Sequence, residues 1–526
     1  MQDLLRPGIA AAGLAAELCE RLETLRDTVT WEATATLAGW EPALRGGAAF
    51  RARAENLAVY LAFRKQDLTA EQAALSALGL SSLGRSEAHV MATLDAVIAT
   101  LQALAGEAPL AGRQPVAEAA LARHVQHERD RIFGADPSGP ETRIMVTLPS
   151  EAAEDPALVR GLIEAGATCV RINCAHDTPA AWRRMAGHAR DAAAATGRDL
   201  RILMDLAGPK VRTLQVHMPK AFLEREKRKR VKRMREAGRD PLSMGPLLLP
   251  GDRFRLVRQL SGAKDLPEAT LSHPELLART VTGGRLWFDD GKLSAVVVER
   301  DDDHALLQVE TARDGGTRLP PEKGVNMPGV DMEIPALAEA DLAALDTVVT
   351  LADAVGFSFV QTPDDIRALH AALDARLPEG APRPAVVLKI ETERAIRNLP
   401  RLIVMAGGAG PVAVMIARGD LAVEIGLARL AEIQEEILWI CEAAGVPVVW
   451  ATQVLEGLAK QGNPSRAEAT DAAMGQRAEC VMLNKGPHAA EAVAFLARIL
   501  RRMDRHQSKK SPRLGPLRAW HGPQDL

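Results

Sequence analysis

Two carboxylates and a lysine stand where a metal-assisted reaction on phosphate would need them. Lys389-Ile-Glu391 closes one apolar run, and Asp420, in Ala417-Arg-Gly-Asp420, follows the next. Residues two apart on a strand share a face, so Lys389 and Glu391 project together. Carboxylate oxygens are hard ligands. They suit Mg2+, which takes one or two of them and fills its shell with water and substrate oxygens. An ammonium beside such an ion fits a site that handles phosphate and an oxyanion. Arg171 adds a rigid, planar donor for phosphoryl oxygens. Gly419-Asp420 opens a segment whose free backbone N–H groups suit a carboxylate or phosphate.

Similar polar endings recur along the chain: Arg171-Ile-Asn173, Asp205, Ser358-Phe359, Thr452-Gln453 and Asn484-Lys485. A single one is a solvated strand end or a loop salt bridge. Their repetition needs a scaffold that brings strand ends together. The apolar runs they terminate are Arg143–Leu148, Ala167–Asn173, Arg201–Leu206, Ala354–Phe359, Ala385–Ile390, Val412–Ala417, Val446–Ala451 and Glu479–Leu483. Amphipathic helical stretches alternate with them. Eight such units predict an α/β fold, a (β/α)8 barrel of the TIM type with the chemistry at the C-terminal strand ends.

The rhythm breaks between the third and fourth runs. There Gly251–Val257, Leu286–Gly291 and Leu293–Val298 read as strands separated by turns. This predicts a small β domain inserted in a βα loop, placed to act as a lid. Residues 1–134 carry helical periodicity without strand alternation and end at the turn-rich Gly134–Pro140. The expected organisation is an α-helical N-terminal domain over 1–134, a barrel in two pieces (141–213 and 323–505), a lid over 214–322 and a basic tail over 506–526. The N-terminal part reads as a packing or oligomerisation module, so a homo-oligomer is compatible with it.

Composition narrows the function classes. Across 526 residues, 65 Lys and Arg meet 68 Asp and Glu, and this near balance argues against nucleic-acid binding by bulk charge. Ten Lys and Arg crowd residues 220–239, which reads as a solvated helix, or as a lure for nucleotide or another polyanion. No aromatic residues interleave there to stack on bases. Five dispersed cysteines without a CxxC pair, no secretory signal and no long apolar run predict a cytoplasmic protein without a membrane partner.

The motifs, taken in order, resemble the pyruvate kinase family. They are Arg171–His176, Asp205–Thr213, Lys323–Gly329, Ser358–Val360, Lys389–Glu391, Ala417–Leu421, Ala451–Gln453, Pro464–Glu468 and Val481–Leu483, covering roughly residues 142–500. The resemblance implies phosphoryl transfer from phosphoenolpyruvate to ADP. It implies that Lys389 neutralises the phosphoryl group in flight and that Glu391 and Asp420 hold Mg2+, with Mn2+ as a substitute. Arg171 would contact the phosphoryl group, and Thr452 would help deliver a proton through water. Ser358 and the Gly419–Asp420 backbone would bind substrate. His176, Arg212 and Arg171 match positions that contact nucleotide phosphates.

Departures accompany the likeness. Family members that need K+ hold it with Asn, Ser and Asp side chains. Here Asn173 and Asp205 remain, Ala175 replaces the Ser, and Lys210 stands where Glu is usual. Lys at that position accompanies independence from K+, since an ammonium supplies the same charge, so K+ is expected to be dispensable. Thr147–Ser150 lacks the usual Gly, Ala207 replaces a Lys, Gln361 replaces an Arg, and Asn484-Lys-Gly-Pro487 replaces Ser-Gly-Glu-Thr. The family's usual C-terminal regulatory domain is also expected to be missing. Two further readings stand beside phosphotransfer: a Mg2+-dependent lyase acting on pyruvate enolate on a related barrel, and a non-catalytic regulator that binds phosphoenolpyruvate.

Overall fold

The apolar runs close into one barrel. In this computed structural model the described residues are 6–44, 47–107, 118–223, 244–330, 333–509 and 511–512. Eight parallel strands run in chain order: Arg143–Thr147, Cys169–Asn173, Arg201–Asp205, Ala354–Phe357, Ala385–Ile390, Val412–Ala417, Val448–Ala451 and Cys480–Leu483. Each pairs with its neighbour in sequence, and the first pairs with the last. The third and fourth pair directly, Asp205 opposite Gly356, although the insertion separates them. Six runs end up shorter than expected by one or two terminal residues. The seventh starts after Pro447, which has no N–H to give a ladder; its carbonyl still accepts from Val414 N at 2.9 Å.

The pleat sorts each strand into two faces. Outward residues such as Val386, Leu388 and Ile390 join the core shared with the surrounding helices. Inward residues, among them Met145, Cys169, Leu203, Ala385, Val387, Met415 and Cys480, form a separate core inside the barrel. Phe133 and Ile132, at the end of helix Glu118–Phe133, belong to that inner core and plug its N-terminal end.

The N-terminal helices Arg6–Leu44, Ala48–Phe63, Thr69–Ala77 and Val90–Ala105 do not stand apart as a module with its own core. Leu18, Leu22, Phe50, Leu57 and Leu94 belong to the same cluster as the barrel's helical ring. The contact is backbone-close: a Cβ at Gly407 would collide with the Phe50 ring, and one at Gly408 with the Ala43 carbonyl. The turn-rich segment after Phe133 is likewise tied down. Arg143 donates to the carbonyls of Pro140 (2.9 Å) and Asp136 (3.2 Å), and Asp199 accepts from Ala135 N at 3.0 Å.

The insertion is a seven-stranded sheet with its own core, centred on Phe254 and Phe288 in edge-to-face contact at 5.5 Å. Its edge strands are Thr213–His217 and Val325–Asn326, so the sheet reaches slightly beyond 214–322 on both sides. Entry and exit are stitched together: Thr213 N donates to Lys323 O at 2.9 Å, and Lys323 N to Thr213 Oγ1 at 3.0 Å. Of the charge run over 220–239, only the start, helix Lys220–Leu223, is described; 224–243 lies outside the described residues. The last barrel helix is Ala489–Met503, and of the tail only the short pair Gln507–Ser508 with Ser511–Pro512 forms structure among the described residues.

Candidate active site

Continuing each inward face toward the C-terminal mouth changes its chemistry. Ala385 and Val387 give way to Lys389 and Glu391; Cys169 to Arg171 and Asn173; Leu203 to Asp205; Met145 to Thr147. The alternation that packs the floor therefore delivers the polar residues to one rim.

Asp205 is the hub of that rim. Its Oδ2 accepts from Arg171 Nε at 3.0 Å and also pairs with Arg171 Nη2, while Lys389 Nζ lies 3.2 Å away. Arg171 Nη1 reaches Thr147 Oγ1 at 3.1 Å. Burial works to raise the Asp205 carboxyl, but Lys389 and Arg171 outweigh it and hold it below the ordinary range. Its Oδ1 lies against Gly356, where any Cβ would collide with it. Lys389 donates to Ser358 Oγ at 2.7 Å and pairs with Glu391 Oε1 at 3.0 Å. Burial pulls the pKa of this lysine down, but Asp205 and Glu391 outweigh it and hold it above the ordinary value, so it stays an ammonium. Ser358 Oγ in turn donates to Leu206 O at 2.6 Å. Phe359, at φ 55°, donates its N–H to Glu391 Oε2 at 2.6 Å.

The second carboxylate sits on helix Arg418–Ile425, which begins directly after the sixth strand. Gly419 N donates to Thr452 Oγ1 at 2.8 Å, which fixes the threonine beside Asp420. Thr452 and Gln453 both have positive φ (66° and 59°), a strained turn of the kind that clusters at functional sites. Arg418 secures that turn from behind, donating to Ala451 O (2.9 Å) and Thr452 O (2.7 Å) and pairing with Asp471.

Asn173 and Asp205 lie side by side in register on adjacent strands. Lys210 does not join them. Its Nζ donates to Asp420 Oδ1 at 2.8 Å and to Asp290 Oδ1, in the inserted domain, at 3.2 Å. The reason is charge balance: Asp205 is already engaged by Arg171 and Lys389, so the Lys210 ammonium finds its counter-charges elsewhere. Lys210 thus ties the insertion to the barrel mouth.

A second positive cluster gathers around His176. Burial first, then Lys485, Arg212 and Arg171, hold its imidazole below the ordinary value. Arg212 is anchored at the insertion's root, with its N–H on Ser272 Oγ at 3.0 Å and its guanidinium on Glu322 O at 3.1 Å. Asp290 and Thr147 join the site without being singled out by the sequence, and Lys485, read there only as one of the polar strand ends, joins it with a role. Lys485 falls in the Asn484–Pro487 departure, yet its place just past the eighth strand is a usable signal. Nothing in the sequence near Asp290 announces its pairing with Lys210.

Glu391 and Asp420 fit a hard divalent cation. Both are carboxylates at the mouth, and burial first, then Asp420, push the Glu391 carboxyl up against the opposing pull of Lys389. A buried and a half-buried carboxylate so placed favour a shared positive charge.

Comparison with known proteins agrees. The family model "Pyruvate kinase, barrel domain" matches residues 248–493. The chain is 31% identical over 385 residues to a pyruvate kinase of Mycobacterium tuberculosis, covering 70% of this chain and 71% of that one. It is 30% identical over 371 residues to a pyruvate kinase of Methylorubrum extorquens (69% of each chain). It is 28% identical over 369 residues to one of Dictyostelium discoideum, covering 68% of this chain and 66% of that one. The match therefore spans about two thirds of these relatives' length. With its barrel, its rim and this similarity, the chain belongs to the pyruvate kinase family.

Proposed function

We propose that the chain transfers the phosphoryl group of phosphoenolpyruvate to ADP, giving pyruvate and ATP, with Mg2+ or Mn2+ and without a need for K+. The observation that carries this reading is the buried Lys389 ammonium, held charged between Asp205 and Glu391 beside Arg171. A cation fixed in a desolvated site is worth most where negative charge develops, on the phosphoryl oxygens in transfer. The ammonium has three donors, and Ser358, Glu391 and Asp205 engage them all. A phosphoryl oxygen reaches Lys389 by replacing Glu391, which leaves that carboxylate to its metal role.

Glu391 and Asp420 would hold the divalent ion, which when bound neutralises phosphoryl and enolate oxygens. Arg171, braced by Asp205 and Thr147, offers its planar edge to the phosphoryl group. The helix start at Arg418–Leu421 offers backbone N–H groups to the substrate carboxylate, with that of Gly419 already given to Thr452. Because Thr452 Oγ1 accepts from Gly419, its own proton remains free for delivery, through water, to the enolate carbon. The His176–Arg212–Lys485 cluster suits the ADP phosphates, and Lys485 weighs against the regulator reading that Asn484–Pro487 invites.

A coupled assay with phosphoenolpyruvate, ADP and Mg2+ tests the reading. Pyruvate and ATP should form in equal amounts, and turnover in K+-free buffer should match that with K+. Cleavage of a 4-hydroxy-2-oxo acid to pyruvate and an aldehyde, with no ATP formed from phosphoenolpyruvate and ADP, would point to the lyase. Phosphoenolpyruvate binding without product would point to the regulator. Near-inactivity until K+ is added would remove the independence from K+.

A further inference from the structure

A cavity of about 670 Å3 lies between the N-terminal layer and the barrel's helical ring. Helix Arg6–Leu44 forms one side, and barrel helices Pro363–Asp374 and Glu393–Gly407 form the other. The packing explains why it is there. The helices meet backbone to backbone at Ala43 and Gly408, where no Cβ fits. Each helix carries an interior proline, Pro42 beside that pinch and Pro400 about two turns from Gly408, and both line the cavity. A proline inside a helix removes one backbone hydrogen bond and disfavours close packing around it. Gly39, also on the wall, has open space where a side chain would stand.

The lining is one-signed. Arg367, Arg397 and Arg401 face the cavity, and no carboxylate lines it. Arg367 pairs with Asp364, and Arg397 with Glu393 at 3.0 Å, each along its own helix. Arg401 is exposed and has no ion pair among the described residues. Trp40, Leu61, Val404 and Met405 supply apolar wall. The volume lies within the usual range for small-molecule pockets, roughly 300–1,000 Å3. Guanidinium groups favour phosphate through forked hydrogen bonds, and the apolar wall favours a ligand with a flat or apolar body.

We propose that this cavity binds a small phosphate monoester carrying an aromatic or apolar body, at a site separate from the barrel mouth. Occupancy would bear on the two barrel helices that start just after Phe359 and Glu391, but the binding claim stands without the catalytic reading. Titration calorimetry on the full chain tests it, with adenosine monophosphate and inorganic phosphate as probes. Adenosine monophosphate should bind saturably and at least tenfold more tightly than inorganic phosphate. The double variant Arg397→Glu/Arg401→Glu, its folding checked by an unchanged melting temperature, should weaken that binding at least tenfold, while Lys389→Ala leaves it in place. Arg401→Lys should retain part of it. Absence of saturable binding, equal affinity for the two probes, or an isotherm kept in the double arginine variant would overturn the proposal.

Discussion

The floor and the mouth of the barrel are built by the same eight strands, often two residues apart, and they do opposite work. At the floor Cys169, Leu203, Val387 and Cys480 pack against Phe133 in a dry core. Burial pushes the Cys169 and Cys480 thiols far above their ordinary range, so they serve as small apolar groups. At the mouth Arg171, Asp205 and Lys389 keep their charges in spite of burial, because each is matched by the next. The contrast teaches that one strand pattern can hold a stability layer and a reaction layer, and that mutations in the two should fail in different assays.

The sharpest separation comes from Phe133→Ala against Lys389→Ala. Emptying the Phe133 site should cost about 3–5 kcal/mol of stability, read by denaturant unfolding, while turnover per folded molecule stays near wild type. Lys389→Ala should cut kcat per folded molecule by about 100- to 1,000-fold, and because it strips the cation from the buried Asp205 and Glu391 it should also cost stability. Equal losses of kcat in the two would erase the distinction between layers.

Much of this was legible because a strand has only two faces. The parity that puts Ala385 and Val387 inside puts Lys389 and Glu391 there too, and the eight runs could be read with errors of one or two residues. Partners chosen across the fold were not legible. Lys210 meets Asp290 and Asp420, far away in sequence, rather than Asp205. The N-terminal helices show by their periodicity that one face is apolar, but not what covers it. That Phe133 would plug the barrel and Phe50 would meet Gly407 depends on packing that no local pattern encodes.

Asp205→Asn probes the mouth from its centre. It removes the negative charge between two buried cations, a loss of about 3–5 kcal/mol where a buried pair is broken from one side. The catalytic signature is more specific. Asp205 is the larger of the two charges that hold Lys389 up against burial, so its removal lets burial lower that lysine. The basic limb of the kcat–pH profile should move to lower pH. An unmoved limb would show that Lys389 does not need Asp205 to stay charged.

The smallest expected effect lies where the mouth meets the insertion. Glu424, on helix Arg418–Ile425, accepts a hydrogen bond from Asn326 at the edge of the inserted sheet, and Asp420 and Glu393 add negative charge nearby. Burial first, then those charges, push its carboxyl up to about 7 against an ordinary 4.5. The folded protein therefore binds this proton more tightly than the unfolded chain does. Its contribution is complete below pH 4.5 and is lost as pH rises through 7. Glu424→Gln keeps the shape without the charge. It should stabilise the protein above pH 7 by up to about 3 kcal/mol, at about 1.4 kcal/mol per pKa unit, and the advantage should shrink steadily toward pH 5. Melting temperatures of both forms at pH 5, 6.5 and 8 give the readout. A gain that is the same at all three would mean that Glu424 carries its charge as easily as a surface glutamate, and that the junction between mouth and insertion is wetter than its packing indicates.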